Sequence, residues 1–166
     1  MNWYVLQVMT GTEDAVRQTL TERGYTARAP VELVQIRKCG QMSDHIRILF
    51  PSYVFVFLRY EDCHYHHIKN MPNVIKWLGM ENGTPTPLNA AEQRWITMLD
   101  GTADRPLQPS AVSFCGDKPE ILSGILLDLQ DEIVTISRRQ RRAIVRLPIL
   151  GNNKTIRLSV AERMQE

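Results

Sequence analysis

Residues 61–68 read EDCHYHHI, placing Cys63 and three of the chain's four histidines in one short segment. Imidazole and thiolate are zinc ligands, and on a helix Cys63/His66 and His64/His67 fall at i,i+3, with Cys63/His67 at i,i+4. A structural zinc needs four such ligands. Cys39, His45 and Cys115 would each have to arrive singly from a distant segment, so no metal and no cofactor is expected. Tyr65 and Ile68 are also i,i+3 and are expected to form the buried side of this helix. His64, His66 and His67 are then left facing outward.

A second cluster is cationic. Arg138, Arg139, Arg141 and Arg142 occupy four of five positions between two short apolar runs, with no acidic residue beside them in sequence. A solvated charged turn is the ordinary explanation of such a run. Four like charges repel, however, and contacts to phosphate would relieve that repulsion, with an affinity falling steeply as salt rises. Guanidinium groups also stack on unpaired bases. Nucleic acid is the expected partner, and Arg17, Arg37 and Lys38 are secondary candidates. Residues 1–110 carry 11 Lys/Arg against 11 Asp/Glu, and residues 111–166 carry 9 against 7. The basicity is therefore a local patch.

No catalytic signature is found: the chain holds no GxxxxGK[ST], GxSxG, HExxH or CxxC. An enzyme is not expected. The opening MNWYVLQVMTGTED lacks a basic n-region and a long apolar stretch, and no run approaches the roughly 18 residues of a membrane span. Three scattered cysteines form no disulfide framework. These features lead to an expectation of a cytoplasmic monomer.

Several elements must position the clusters. Asn2–Val8 reads as a strand, followed by a helix introduced by Thr10-Gly-Thr-Glu13 at capping-box spacing and stopped near Gly24. Ala15, Val16, Thr19 and Leu20 would form its inward stripe. Val31–Lys38 and His45–Leu49 alternate as a hairpin interrupted over Cys39–Asp44, with Arg37 and Lys38 at its tip. Tyr53–Leu58 is apolar throughout, as in a central strand covered on both faces. Residues 60–70 form a short helix and Asn73–Leu78 a strand. ENGTPTPL is loop, and Asn89-Ala-Ala-Glu92 opens another helix that carries Trp95, Ile96 and Leu99. GTADRPLQPS has linker chemistry. Beyond it, Ile133–Ile136, Ala143–Leu147 and Thr155–Leu158 are short strands of a small barrel. The same region holds a competing pattern, Ile125, Leu126, Leu129 and Ile133 at helical spacing within Ile121–Thr135. Pro119, Pro148 and the β-branched runs favour strands.

Three collinear blocks carry a family resemblance: Trp3-Tyr4-Val5-Leu6, Phe50-Pro51-Ser52-Tyr53-Val54-Phe55-Val56, and Met71-Pro72-Asn73-Val74 with Trp77-Leu78-Gly79. Together they resemble the N-terminal domain of NusG-type transcription elongation factors. Gly116-Asp117, Gly124 and Gly151 are similarly placed to turns of that family's KOW domain. The opening NWYVLxVxTGxE and the Arg-Arg-Gln-Arg-Arg-Ala block are most similar to the specialised paralogues LoaP and RfaH. The resemblance implies an α+β fold, in which an N-terminal NGN-type α/β sandwich, an antiparallel sheet flanked by helices, occupies residues 1–101. A linker follows over 102–112, and a five-stranded KOW β-barrel over 113–166. Three departures stand out. Ser52 replaces the usual Gly or Asn, Asp131 falls at the KOW glycine, and Pro119 lies in a barrel strand, where only an edge or bulge admits it.

By the same resemblance the protein would be a processivity or antitermination factor that suppresses pausing on selected operons. Its first domain would receive the β′ clamp helices of RNA polymerase in an apolar groove, with Phe50, Tyr53 and Trp77 as contacts and Gln7 at the edge. Core packing is the competing explanation for those aromatics. In RfaH-like proteins a His-Thr-Thr segment before the same Ile touches the polymerase β gate loop. Here His64 matches, Tyr65 and His66 replace the threonines, and His67 precedes Ile68. An RNA hairpin or non-template DNA would be the recruiting signal, and a ribosomal protein a further partner of the barrel. The alternative is an RNA- or ribosome-associated module that merely shares the barrel.

Overall fold

The computed structural model describes residues 1–99, 101 and 105–163. In chain order it contains β1 (Asn2–Val8), α1 (Glu13–Glu22), β2 (Thr26–Arg28), β3 (Val31–Lys38), β4 (Gln41–Ile48), β5 (Tyr53–Leu58) and α2 (Asp62–Lys69). β6 (Val74–Trp77), β7 (Met80–Glu81), β8 (Thr84–Pro85) and α3 (Ala90–Met98) follow. The remaining elements are β9 (Ser110–Cys115), β10 (Lys118–Ser123), α4 (Ile125–Asp128), β11 (Ile133–Ser137), β12 (Arg142–Ile149) and β13 (Asn152–Glu162). Two compact units result: Met1–Ala29 with Phe50–Thr97, and Pro30–Leu49 with Met98–Glu166.

In the first unit an antiparallel sheet of order β2-β5-β1-β6 has its two most apolar strands in the middle. Successive side chains of a strand point to opposite faces. Tyr4, Leu6 and Val8 of β1 and Val54, Val56 and Leu58 of β5 therefore share one face, packed with Val16 and Leu20 of α1 and Ile68 of α2. Each fully buried aliphatic side chain of this cluster contributes roughly 1.5–3 kcal/mol. Ala15, expected in the inward stripe of α1, is exposed. The other face carries Trp3 against Phe57 at 5.0 Å, and Phe55 against Phe50 and Trp95 at 5.3 and 6.0 Å.

The two capping-box spacings have different outcomes. Asn89 and Glu92 exchange side-chain-to-backbone hydrogen bonds at 2.8 and 2.9 Å, as the pattern requires. Glu13 instead begins its helix and accepts from Gly11 N at 3.0 Å and Ser52 N at 2.8 Å, and Thr10 bonds the Ser52 hydroxyl.

The second unit holds a curled five-stranded sheet of order β10-β9-β13-β12-β11, antiparallel except where β13 runs parallel to β9. Ala143, Val145, Leu147 and Ile149 of β12 alternate inward and meet Ile156, Leu158 and Val160 of β13 in buried positions. Its first strand begins at Ser110, inside the stretch that reads as linker. Pro119 lies on β10, an edge strand, where its missing N–H breaks no ladder. Residues 121–135 are not one helix: strand ends flank a single turn at α4 and a 3-10 turn at Gln130–Glu132. Asp131 sits in that 3-10 turn without a left-handed backbone. Gly124 is required twice over, by φ of 100° and because a Cβ would lie 2.5 Å from Ser110 Oγ.

The β3–β4 hairpin belongs to this unit. Its break is narrower than the composition of Cys39–Asp44 suggests. Cys39 and Gly40, at φ 54° and 76°, form the whole turn, and Lys38 pairs with Gln41. Glu32 pairs with Leu107 in an isolated bridge, and Leu33 N donates to Leu107 O at 2.8 Å.

Candidate functional site

In the first unit, Tyr53 and Gln7 face each other across β5 and β1, and Gln7 also pairs with Lys76 of β6. Directly opposed residues share a face. Tyr53, Gln7 and Lys76 thus form a row across three strands; the first two are half-buried and Lys76 is exposed. Phe50 approaches the same face but is 0% exposed, stacked on Trp95 at 5.5 Å. Trp77 does not join this row. It pairs with Leu6, is 1% exposed, and packs on the helix side with Tyr4, Tyr60 and Tyr65 at 5.8–6.1 Å. Its indole Nε1 donates to Tyr65 O at 3.3 Å. As placed, neither Phe50 nor Trp77 offers side-chain surface to a partner.

What aims Tyr53 is the turn before it. Tyr53 N donates to Phe50 O at 3.1 Å, Pro51 occupies the second position, and Ser52 has φ of 71°. That is type II geometry, which favours Gly or Asn at the third position. Ser52 adopts it with its N–H held by Glu13, which is 1% exposed. Glu13 is a positioning residue whose spacing in sequence suggested only a helix cap.

On α2, His66 and His67 are exposed and His64 is half-buried. His64 Nδ1 lies 2.7 Å from the Tyr25 hydroxyl, with the rings edge to face. Tyr65 stacks on Trp77 and Ile68 is fully buried, which gives the helix the inward side expected of it. Donor atoms of Glu61, Cys63 and His64 gather within 4.8 Å of one another. Glu61 and Cys63 are exposed, and three donors fall one short of a closed zinc site. All three cysteines are exposed and unbridged. Arg17 pairs with Asp14 within α1 at 2.8 Å.

In the second unit, Arg138, Arg139 and Arg141 project from the β11–β12 turn and are exposed; Arg142 is half-buried where β12 begins. Arg141 takes φ of 52°, and Ser137 Oγ accepts from Gln140 N at 3.2 Å. Arg138 differs from the others. Its guanidinium bonds Glu162 at 2.6 Å and lies 5.5 Å from the Phe114 ring. The turn has no acidic neighbour in sequence but has one in space, supplied by the far end of β13. Arg37 and Lys38 are exposed at the hairpin tip.

The same unit contains an acid that the sequence pattern did not mark. Glu32 is 2% exposed, ion-paired with Arg47, and accepts from Ser159 N at 2.8 Å. Burial pushes its carboxyl above the ordinary value of 4.5, and the Ser159 and Arg47 contacts pull it partly back.

A family model described as "Transcription termination factor nusG" matches residues 1–97. The chain belongs to the NusG family. The transcription termination/antitermination protein NusG of Buchnera aphidicola is 26% identical, over 94% of this chain and 91% of its own length. That of Yersinia pestis is 26% identical over 96% and 93%. A solved structure titled "Domain interaction in Thermotoga maritima NusG" superposes with a TM-score of 0.54 at 25% identity, covering 96% of this chain and 93% of its own. The NusG family model spans the row at Gln7 and Tyr53 and all of α2. The arginine turn lies beyond it, within the span shared with the full-length relatives. No helix among the described residues is long and apolar enough to cross a membrane.

Proposed function

We propose that this NusG-family transcription factor binds RNA polymerase through the partly exposed Tyr53–Gln7–Lys76 end of a sheet face of its first unit, holding the clamp closed and suppressing pausing. The observation that carries this is the row Tyr53–Gln7–Lys76, a partly exposed aromatic–amide–cation strip at the end of the sheet face that carries Phe55 and Phe57. Such a strip suits an amphipathic helix such as those of the β′ clamp, with the ring packing against its apolar side. Phe50 supports that face by stacking on Trp95 and packing edge to face on Phe55. Trp77 serves the helix side of the sheet, where it backs α2.

His66 and His67 are the second handhold, toward the β gate loop; His64 positions α2 through Tyr25. The mechanism is binding alone: stabilising the clamp-closed state shifts the polymerase away from the paused population. No catalytic step is involved, and the protein works in the cytoplasm as a monomer on polymerase. Its arginine turn engages the nucleic-acid signal that selects particular operons, and the barrel can also dock a ribosomal protein.

Co-purification with polymerase tests the contact. Tyr53→Ala should lose polymerase while retaining its fold, and Lys76→Glu should weaken it. Retention of polymerase by a well-folded Tyr53→Ala protein would refute this face as the contact.

A further inference from the structure

We infer that a cleft within the second unit, between the β3–β4 hairpin and the β11–β12 turn, binds the backbone of a single-stranded nucleic acid. This deepens the nucleic-acid part of the function proposed above and does not depend on the polymerase contact.

The cleft encloses about 930 Å³. One wall is the hairpin, with Val34, Ile36 and His45; the other is the turn, with Arg139, Arg141 and Arg142. Arg163 and the Ser159–Ala161 stretch of β13 also line it. Its electrostatics follow from which cations are already neutralised. Arg47 is paired with Glu32, and Arg138 with Glu162. Glu162, the acid that lines the cleft, is thereby committed. Among the described residues, Arg139, Arg141, Arg142 and Arg163 form no salt bridge, so four guanidiniums meet at one opening.

The opposite wall makes the site more than an anion trap. Ile36 remains 45% exposed opposite Ser43, and Val34 lies opposite His45. Val34 and Ile36 with the His45 ring, facing a cationic wall, match a chain with flat bases on one side and phosphates on the other. The arginines themselves can stack on bases. The volume is at the top of the range for small-molecule pockets, roughly 300–1,000 Å³. It accommodates a few nucleotides of one strand and excludes a duplex, whose two phosphate rows cannot both enter.

Fluorescence anisotropy on the full-length chain tests this, with a short oligouridine, the matching oligothymidine, a duplex and an oligoglutamate peptide as probes. Either single strand should bind, and log Kd should vary with log salt at a slope near 3 for four contacts at about 0.7 each. Arg139→Ala with Arg163→Ala should flatten that slope by about 1.4. Ile36→Glu, which alters only the hairpin wall, should weaken single-strand binding about tenfold. Lys118→Glu, an exposed charge reversal on β10 outside the cleft, should change it less than twofold.

Preference for the uridine or thymidine strand identifies the natural source as RNA or DNA, and both support the cleft. Wild-type affinity in a folded Ile36→Glu protein would overturn it, as would equal binding of the duplex or equal competition by oligoglutamate. Those results would leave polymerase co-purification untouched. Loss of polymerase binding with an intact oligonucleotide response would instead refute the polymerase contact alone.

Discussion

The sheet face of the first unit and the arginine turn of the second present opposite relations between residue type and exposure. Around the sheet, the aromatic residues that look most like contacts, Phe50 and Trp77, are inside, and the exposed surface is a half-buried tyrosine flanked by an amide and a lysine. At the turn, three of four candidate arginines are exposed, and the exception in function is Arg138, tied to Glu162. Charge clusters must reach solvent or a partner, so their exposure follows from composition alone. An aromatic run carries no such constraint, because a core position and a groove position differ by one residue along a strand.

Variants can break this contrast, beginning with the largest effect. Phe50→Ala should destabilise the first unit by about 3–5 kcal/mol, the cost of a large cavity in the Phe50–Phe55–Trp95 stack. Tyr53→Ala should cost far less in chemical denaturation. Equal losses would show that the two aromatics share one environment. Glu32→Ala should cost the second unit about 3 kcal/mol, since Arg47 and Ser159 N lose their buried acceptor.

Glu32 also sets a pH dependence. Its folded carboxyl titrates above the unfolded one, so its stabilising contribution is complete below the unfolded value and is lost as pH rises through the folded value. The stability difference between wild type and Glu32→Gln should therefore move in favour of the glutamine variant as pH climbs from 4.5, measured by urea melts. A difference independent of pH would place the carboxyl at its ordinary value. Asn89→Ala should cost about 1 kcal/mol through the lost cap on α3. Arg139→Ala should leave stability within about 0.5 kcal/mol, as befits an exposed arginine without an ion pair among the described residues.

Much of the architecture was legible, for identifiable reasons. The Asn89–Glu92 box, the apolar Tyr53–Leu58 strand and the edge position of Pro119 rest on local chemistry, and the structure has each of them. Glu13 shows the limit: the same spacing as Asn89–Glu92 serves a contact to Ser52, 39 residues away. Glu32 and Ser159 are 127 residues apart, and nothing in either segment announces the other. Ser110–Cys115 is hidden in sequence because the prolines before it read as linker, and one of its two strand partners, β13, lies at the end of the chain. The same holds for Glu162, which neutralises Arg138 from a distant strand. Trp77 and Tyr53 fall on opposite faces of the sheet, a difference of one residue along β6, and Lys76 holds the place in the row. The histidine segment is the intermediate case. Its inward pair, Tyr65 and Ile68, follows from helical spacing, but the Tyr25 hold on His64 does not.

Single-round transcription on a template bearing a pause site and a terminator tests the central claim most directly, with purified polymerase and the wild-type or Tyr53→Ala chain. The wild type should shorten pausing and raise readthrough, and Tyr53→Ala should leave both at the level of polymerase alone. Pausing and readthrough unchanged by the wild-type chain, at concentrations that saturate its oligonucleotide binding, would contradict a role on the polymerase clamp.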